Sequence, residues 1–420
     1  MPDITAPANQ NFECRDCPAR CCTAPWRLVV QEEEKKRFEA ESWIQERFAQ
    51  KGVAIQPLSG ADYVIPYVVH DRKLQCVFLD DDNLCSMYKR HGRDFWPHVC
   101  RSFPFEFIVD ETGAVQTALT HYCPSIRDNY GDPLTQARLE AFLKDSGGHP
   151  TPMAPVQHLG VQTQLKPHHY MRLVGLWVEL IKSTPSLHEA LFACHQLTEH
   201  LEMELLDHAE VDDAVFTQAL ETAQSQAKEP FQESPTAQRQ SALLPNLVLA
   251  LHLSSLAYPV RTYYVGKFSL GRIISTWLVR LKLIRQSGPI DLLLLPRSFQ
   301  LEDASTIPVI STDPILVERI RNFLLGVIQR RYFLRRESRM ETHLFQLILG
   351  YITILRMARY HAAARKSLRV ELPDLLEGIS SAELLIFYHN YPLDGPLLGP
   401  LISSLSKNTL SLRKFLLSEM

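Results

Sequence analysis

The sequence predicts a mixed α+β N-terminal domain that is small and rich in cysteine, followed by a larger all-α domain. Two observations favour this fold class. Eight of the nine cysteines lie between Cys14 and Cys123, among short apolar segments. Beyond residue 168, apolar residues instead recur at spacings of three and four, the period of an amphipathic helix. We therefore divide the chain into a cysteine-rich domain (1–127), a linker (128–167) and an irregular α-helical domain (168–420).

Length and composition are those of an ordinary globular protein. The chain has 420 residues, of which 45% are hydrophobic, and its formal net charge is -3. About 150 residues per domain gives two or three domains, large enough to fold without disulfides or metal. With no block of lysine and arginine, neither nucleic acid nor a membrane is an expected partner. Because the start lacks an export-signal pattern and no apolar run is long enough for a bilayer, we expect a soluble, cytoplasmic protein with reduced thiols.

Short strands and helices are predicted for the first 127 residues. Leu28–Val30 has the composition of a strand, and the acidic run that follows Gln31 is typical of a helix N-terminus. The segments Phe103–Val109 and Ala114–Leu119 flank Gly113, which predicts a β-hairpin with a glycine in the turn. Between Lys144 and Pro167, glycine and proline recur too often for helix or sheet, so this stretch forms the main part of the predicted linker.

Helices are predicted for the rest of the chain. Apolar residues at helical spacing mark the segments His169–Lys182, Leu187–Leu206 and Ala214–Ala227. Asp313–Pro314 predicts the start of a further helix, because aspartate caps helix N-termini and proline suits the first helical position. The segment Leu344–Tyr360 is apolar around most of its circumference, which predicts a buried central helix.

The cysteines form an ordered series of short motifs. In chain order these are Cys14-x2-Cys17-x3-Cys21-Cys22, Cys76-x8-Cys85, Cys100-Arg-Ser-Phe-Pro-Phe and Cys123-Pro124. Thiolates are soft ligands that prefer zinc, copper(I) and iron–sulfur clusters to hard cations. The gap between Cys14 and Cys17 lets both sulfurs turn toward one ion. We predict that these eight thiols ligate metal, either at two four-cysteine sites or at one site with thiols left over.

Other uses of the cysteines fit the pattern less well. A disulfide framework needs an oxidising compartment, and a thioredoxin-like CxxC would not be surrounded by six further cysteines. The radical S-adenosylmethionine spacing C-x3-C-x2-C fails after Cys17 and Cys21, because Ala24 stands at the third position. Cys194 alone, on an apolar helix, fits a small buried hydrophobic residue.

The spacing favours an iron–sulfur cluster and leaves zinc as the alternative. Structural zinc sites usually pair two CxxC knuckles or combine CxxC with two histidines. Here only Cys14 and Cys17 have that spacing, and thiolates dispersed along a chain are more typical of cluster ligation. The adjacent Cys21 and Cys22 cannot easily aim both sulfurs at one ion. 

Four residues among the cysteines bear on the same site. His91, His98 and His121 could complete a mixed site, although a hydrogen-bonded histidine is the more common role. We also expect Trp96, shortly before Cys100, to pack over the site and limit access of solvent.

In this order the motifs resemble those of the zinc- or iron-chelating CxxCxxCC proteins, and equally the cysteine-rich part of flagellin lysine-N-methylases. The resemblance covers residues 11–127. The chain length is near that of the methylases, whereas Arg-Ser-Phe-Pro-Phe after Cys100 is closer to the short chelating proteins. Membership of the methylase branch implies methyl transfer to lysine ε-amines of a protein substrate such as flagellin, with S-adenosylmethionine as donor. No GxGxxG turn occurs, so a donor site would be unconventional.

The sequence therefore predicts a cluster-binding protein whose first 127 residues form a cysteine-rich metal-cluster domain. Its most specific predicted activity is protein lysine N-methylation. The alternative is a non-catalytic metal-chelating protein, or one in which metal stabilises a partner-binding fold. Binding of S-adenosylmethionine would separate the two, because a scaffold has no reason to bind it.

Overall fold

The fold is that of a computed structural model. It describes residues 4–5, 10–14, 19–23, 28–57, 62–66, 68–70, 73–109, 113–145, 150–153, 157–159, 163–227, 243–254, 270–292, 294–308, 313–329, 339–388, 412 and 415–416. Cys17 lies outside these residues. 

Helices make up most of the described residues. In chain order they are α1 (Arg20–Thr23), α2 (Glu32–Ala40), α3 (Ser42–Lys51), α4 (Ser86–His91), α5 (His98–Ser102), α6 (Pro124–Asp128), α7 (Gln136–Asp145), α8 (Pro167–Ser183), α9 (Leu187–Glu204), α10 (Asp213–Gln226), α11 (Leu243–Leu253), α12 (Leu270–Arg285), α13 (Leu301–Ser305), α14 (Pro314–Gln329), α15 (Met340–Arg365) and α16 (Leu372–Ala382). A π-helical turn, Glu383–Tyr388, extends α16. Within the described part of the chain, no helix combines the length and hydrophobicity needed to cross a bilayer.

The strands are short. They are β1 (Ile4–Thr5), β2 (Asn11–Phe12), β3 (Leu28–Val30), β4 (Gln56–Pro57), β5 (Tyr63–Ile65), β6 (Val68–His70), β7 (Lys73–Gln75), β8 (Phe105–Val109), β9 (Val115–Leu119), β10 (Asp132–Pro133), β11 (Thr151–Pro152), β12 (Gln157–Leu159), β13 (Thr163–Leu165), β14 (Pro289–Ile290) and β15 (Phe299–Gln300). They pair as a four-stranded sheet of order β1-β9-β8-β11, a three-stranded sheet β3-β5-β4, and the ladders β10-β2, β12-β13, β14-β15 and β6-β7.

The local signals near the N-terminus predicted the observed elements well. β8 and β9 form the expected antiparallel hairpin, and Gly113 in its turn has a φ of 84°. β3 leads into α2, whose start is closed by a capping box in which the Gln31 backbone N–H donates to the Glu34 carboxylate at 3.0 Å. Both predictions are confirmed.

The density of glycine and proline between Lys144 and Pro167 predicts neither helix nor sheet, but short strands occur in this stretch. β11 pairs in parallel with β8, and β12 pairs with β13, whereas the ten-residue helix α7 lies almost wholly before Lys144. The prediction of neither helix nor sheet is wrong there because the prolines stand at the ends of short elements. Pro152 ends β11, and Pro167 is the first residue of α8, where its fixed φ suits the chain.

Among the described residues after 167, the regular structure is mainly helical, as predicted, and includes one short strand ladder. α8, α9 and α10 follow the predicted boundaries closely, and α14 begins at Pro314 with the Asp313 side chain accepting the Ile315 N–H at 2.9 Å. Every residue from 347 to 358 of α15 is buried, which confirms the central helix. The description as all-α is wrong at β14 and β15, where a ladder of two residues per strand is too short to show a periodic pattern.

Within the part of the chain that the structure describes, buried side chains form three core groups. The largest lies among α8 to α16 and includes Trp177 and Cys194. A second lies in the N-terminal region, where Phe38 and Phe78 pack with the buried thiol of Cys76. The third lies under the four-stranded sheet and includes Cys123. 

The helical region packs against the cysteine-bearing region. Leu384, in the π-helical turn, is fully buried within the second core group. Glu377 of α16 pairs with Arg20, and with Arg127 at 3.7 Å. Close to this, Thr120 Oγ1 donates to the buried Glu383 Oε1 at 2.9 Å. These contacts hold α16 against the segments that carry the first and last cysteine motifs.

Candidate metal centre

Five of the predicted ligands come together: Cys21, Cys22, Cys76, Cys85 and Cys100. The sulfurs of Cys21 and Cys22 are 3.9 Å apart, and the Cys22 thiol also hydrogen-bonds Cys76. Cys85 and Cys100 lie close enough for the charges of Cys76 and Cys21 to act on both. Three motifs that are far apart in sequence thus supply one group of thiols.

The first of these motifs is held by the short helix α1. Ala19, with a φ of 54°, turns the chain into α1, and the Cys22 N–H donates to the Ala19 carbonyl at 2.9 Å. The Cys76 N–H then donates to the Cys22 carbonyl at 2.6 Å. This backbone hydrogen bond ties the first motif to the second and brings the side chains of Cys22 and Cys76 together.

A tight loop joins Cys76 to Cys85. Leu79 and Cys85 form an antiparallel bridge, and Asn83 in the turn has a φ of 61°, a conformation that asparagine tolerates. Ser86 closes the loop, since both its N–H (2.8 Å) and its hydroxyl (3.0 Å) donate to the Phe78 carbonyl. The eight residues between the cysteines therefore fold back and bring Cys85 close enough to Cys76 for their charges to interact.

The same loop is supported from α3 by Arg47. Its guanidinium donates to the carbonyls of Val77 (2.5 Å) and Leu79 (3.0 Å) and pairs with Asp80 at 2.9 Å. Arg47 is thus fixed beside the group. The hydrogen bond with Cys22 is the main cause that lowers the pKa of Cys76, and the positive charge of Arg47 acts in the same direction.

Cys100 is placed by the short helix α5, which is anchored on α2. The buried Glu34 carboxylate accepts the His98 N–H at 2.6 Å and contacts His98 Nδ1 at 3.0 Å. Arg101 adds an ion pair with Glu34 at 3.9 Å. Burial works to raise the pKa of the Glu34 carboxyl, but the hydrogen bonds from His98 and Gln31 hold it below its ordinary value. The charged Glu34 therefore holds α5, the helix that carries Cys100, in position.

Backbone amides point at several of the sulfurs. The Cys22 N–H bonds to Cys21, the Phe78 N–H to Cys76, and the N–H groups of Met87 and Tyr88, at the start of α4, to Cys85. Such hydrogen bonds stabilise thiolates and are the usual outer layer of metal–thiolate sites. The loops that carry these thiols are therefore already arranged for thiolate ligands.

The five thiols affect one another's pKa values. The hydrogen bond from Cys22 lowers the pKa of Cys21 and of Cys76, and the same bonds raise the pKa of Cys22 well above its ordinary value. Burial raises the pKa of Cys85 to about 11, and burial together with the neighbouring thiolate charges raises that of Cys100. Without a compensating cation, the five thiols cannot all ionise together, since like charges repel strongly in a low dielectric. A metal ion or cluster, if bound, would supply that positive charge.

The spacing of the thiols bears on which group fits. A zinc ion with Zn–S bonds of about 2.3 Å requires sulfurs about 3.8 Å apart. The pair Cys21 and Cys22, at 3.9 Å, has that spacing, although the sequence predicted that adjacent cysteines would not easily share an ion. Among the described residues, however, no three possible ligand atoms that include a cysteine sulfur lie within 4.8 Å of one another. Thiolates set farther apart suit a cluster, in which several iron and sulfide ions stand between them.

Of the other three predicted ligands, the structure describes two, Cys14 and Cys123. Cys123, the N-cap of α6, is buried in the third core group, under the four-stranded sheet. Cys14 is exposed, and the Glu13 N–H donates to Ser125 Oγ at 2.8 Å, so the chain at Cys14 runs beside the chain that follows Cys123. Cys17 lies outside the described residues. The structure thus brings five of the eight predicted ligands together. It also places the chain segments of Cys14 and Cys123 beside each other.

The nearby histidines are engaged with other groups. His91 stacks on Phe95 with ring centroids 4.2 Å apart and accepts the Trp43 Nε1–H at 3.1 Å. His98 is bound to Glu34. The ring of His121 lies against α14, where a Cβ added at Gly326 would come within 2.9 Å of its Cε1. These positions agree with packing and hydrogen-bonding roles.

Trp96 lies in the apolar shell around the group of thiols. It packs against the second core group, with its ring 5.4 Å from that of Tyr88, three residues after Cys85. Its buried Nε1–H has no hydrogen-bond partner among the described residues. The predicted screening role of Trp96 therefore remains a prediction that its position supports.

The supporting residues Glu34, Arg47 and Arg20 were not predicted from the sequence. Glu34 stood in a run of glutamates that fits any helix N-terminus, and Arg47 lies in an ordinary amphipathic helix. Arg20, beside Cys21, pairs with Glu377 and lies over the Tyr122 ring at 5.7 Å. The sequence marked Arg20 only by its position within the first cysteine motif.

Comparison with known proteins gives little beyond this geometry. No protein-family model matches this chain, and no solved structure matches it significantly. The chain is similar to an uncharacterized protein of Methanocaldococcus jannaschii, with 25% identity over 116 residues, which cover 28% of this chain and 37% of that protein. The chain therefore spans little more than a third of the length of this relative.

Proposed function

We propose that this protein binds an iron–sulfur cluster through the N-terminal cysteines, with zinc as the alternative occupant. The convergence of Cys21, Cys22, Cys76, Cys85 and Cys100 supports the proposal, because cysteines up to 79 positions apart in the sequence meet only through the fold. Cys14, Cys17 and Cys123 complete the set of eight proposed ligands. We propose further that residues 1–127 act as the metal-cluster domain of a cytoplasmic protein.

The chain's own residues have defined parts in this proposal. Cys76 and Cys85 offer thiolates on a loop closed by Ser86, and Glu34 seats the helix of Cys100. Arg47 reduces the repulsion between thiolates, and the apolar shell keeps water away from the sulfurs. A bound cluster would supply charge compensation and, if iron–sulfur, one-electron chemistry.

The proposed activity is N-methylation of lysine in a protein substrate such as flagellin, with S-adenosylmethionine as donor. It rests on the resemblance of the cysteine motifs to those of flagellin lysine-N-methylases. A non-catalytic role is favoured by a different observation. Arg20 and Arg127 bind Glu377 of α16, so a metal centre beside Arg20 also fastens the helical region to the N-terminal region.

The metal itself is tested by elemental analysis and visible absorption of protein purified without air. Iron with acid-labile sulfide supports the cluster. Stoichiometric zinc in a colourless protein supports the alternative, and a metal-free protein that folds normally contradicts both.

The activity is tested separately by calorimetric titration with S-adenosylmethionine and by transfer of labelled methyl groups to purified flagellin. Binding and transfer support the methylase proposal. Metal-loaded protein that binds no S-adenosylmethionine contradicts it and leaves the non-catalytic role.

A further inference from the structure

Two histidines and an aspartate meet on the helical region, far along the chain from the cysteines. His168 and His169 lie in the first turn of α8, and Asp213 is the first residue of α10. We propose that these three residues form a second metal site, which binds one divalent transition-metal ion of the zinc type through nitrogen and oxygen ligands.

The ligand atoms already converge. Nε2 of His168 and Nε2 of His169 are each 2.9 Å from the same Oδ1 of Asp213, and all three atoms lie within 4.8 Å of one another. Zinc takes imidazole nitrogen and carboxylate oxygen at about 2.0–2.2 Å, which sets tetrahedral ligands about 3.4 Å apart. An outward shift of about half an ångström would admit the ion. The exposed Asp213 side chain can make that movement by rotation.

One ligand is fixed in advance. The His169 side chain is fully buried, and its ring stacks on Phe216 with centroids 4.3 Å apart and planes 13° from parallel. Its Nδ1 is buried with no hydrogen-bond partner among the described residues, so Nε2 makes the polar contact of this ring. A ligand held in this way loses little side-chain entropy when the ion binds.

The protonation states suit a cation. Burial lowers the pKa of His169, and the hydrogen bonds from His168 and His169 lower that of Asp213. Near neutral pH, the site therefore offers a neutral imidazole and an ionised carboxylate, which are the forms that bind metal. Lys166 lies close enough to oppose a cation, and the Asp213 carboxylate offsets its charge.

The chemistry differs from that of the cysteine group. Imidazole and carboxylate ligands favour borderline divalent ions, whereas thiolates favour softer ones. Three protein ligands leave a fourth position for water. Because His168 and Asp213 are exposed, the ion can enter from solvent. The ion would join the start of α8 to the start of α10, two helices that also share a core.

Cobalt(II) is the probe that separates this site from the cysteines. Thiolate-bound cobalt(II) has an intense near-ultraviolet charge-transfer band, whereas cobalt(II) bound by nitrogen and oxygen shows only weak visible bands. The full chain, as purified with its own metal content, is titrated with cobalt(II) against a competing chelator. We expect one added ion per chain with the nitrogen and oxygen spectrum, and a higher Tm when it is bound.

The mutational test replaces the exposed residues His168 and Asp213, because replacing the buried His169 could disturb folding. His168→Ala and Asp213→Asn should each weaken cobalt(II) binding by about tenfold or more. They should also abolish the rise in Tm. The matched control is His208→Ala, at an exposed histidine between α9 and α10, which should bind as the unaltered protein does. Equal binding by all three variants, or loss of the added ion in Cys76→Ser, would overturn the proposal.

Discussion

Replacing Glu34 tests whether one buried carboxylate positions the helix of Cys100. Glu34 has 5% of its side chain exposed and accepts the His98 N–H at 2.6 Å through Oε1. Its Oε2 contacts His98 Nδ1 and the Gln31 N–H, each at 3.0 Å. In Glu34→Gln, only one oxygen remains, so the backbone N–H of either His98 or Gln31 loses its acceptor and faces an amide NH2 instead.

The magnitude follows from those contacts. A hydrogen bond to a charged group is worth about 1.5–3 kcal/mol, and removing one partner of a buried charged pair costs about 3–5 kcal/mol. We expect Glu34→Gln to lower the free energy of unfolding by about 3 kcal/mol. Because Cys100 lies two residues after His98, the variant should also release metal faster. Urea unfolding and the rate of metal transfer to a chelator measure the two effects.

The control lies on the same helix. Glu39 is half exposed, with an ion pair to Lys35 at 3.8 Å, so Glu39→Gln should change stability by less than about 0.5 kcal/mol. The reasoning about Glu34 is refuted if both variants unfold at the same urea concentration and release metal at the same rate.

Three further predictions concern acid, oxygen and metal removal. Burial lowers the pKa of His343 to about 3 and that of His361 to about 4. The unfolded chain therefore binds protons below about pH 6.5 that the folded chain does not. Each histidine should cost about 2 kcal/mol of stability between about pH 7 and pH 5, measured by urea unfolding, and constant stability over that range would contradict this. Trp96→Ala should speed the decay of the metal chromophore in air, while Trp277→Ala, at a tryptophan 54% exposed, should not. Removing the metal should raise hydrogen exchange in α16 more than in α10, because α16 is bound to Arg20, and equal changes would show that the centre does not support α16.

The sequence predicted elements whose signals are local. Asp313–Pro314 marked the start of α14 because a cap and a first-turn proline act within one helical turn. Gly113 marked the hairpin for a similar reason. The prediction of neither helix nor sheet between Lys144 and Pro167 was wrong because, in the sequence, a proline at the end of a two-residue strand resembles a proline in a loop.

The sequence suggested the chemistry of the candidate site but not its geometry. Thiolate softness favoured the cysteines as candidate ligands, but spacing along the chain could not show that Cys22 and Cys76 share a hydrogen bond while Cys123 lies in another core group. Those placements depend on backbone hydrogen bonds and packing between distant segments. Glu34 shows the same limit, because its partner His98 lies 64 residues away.

The most direct test of the cysteine centre compares two serine variants. Cys76→Ser removes a thiol at the middle of the group, and Cys194→Ser removes a buried thiol in the helical core, where it lies far from the proposed ligands in sequence and in a different core group. Each is purified without air and analysed for iron, sulfide, zinc and visible absorption. We predict that Cys76→Ser loses the metal and the brown colour while Cys194→Ser keeps both. Equal metal content in the two variants, or a metal-free unaltered protein, would contradict the account.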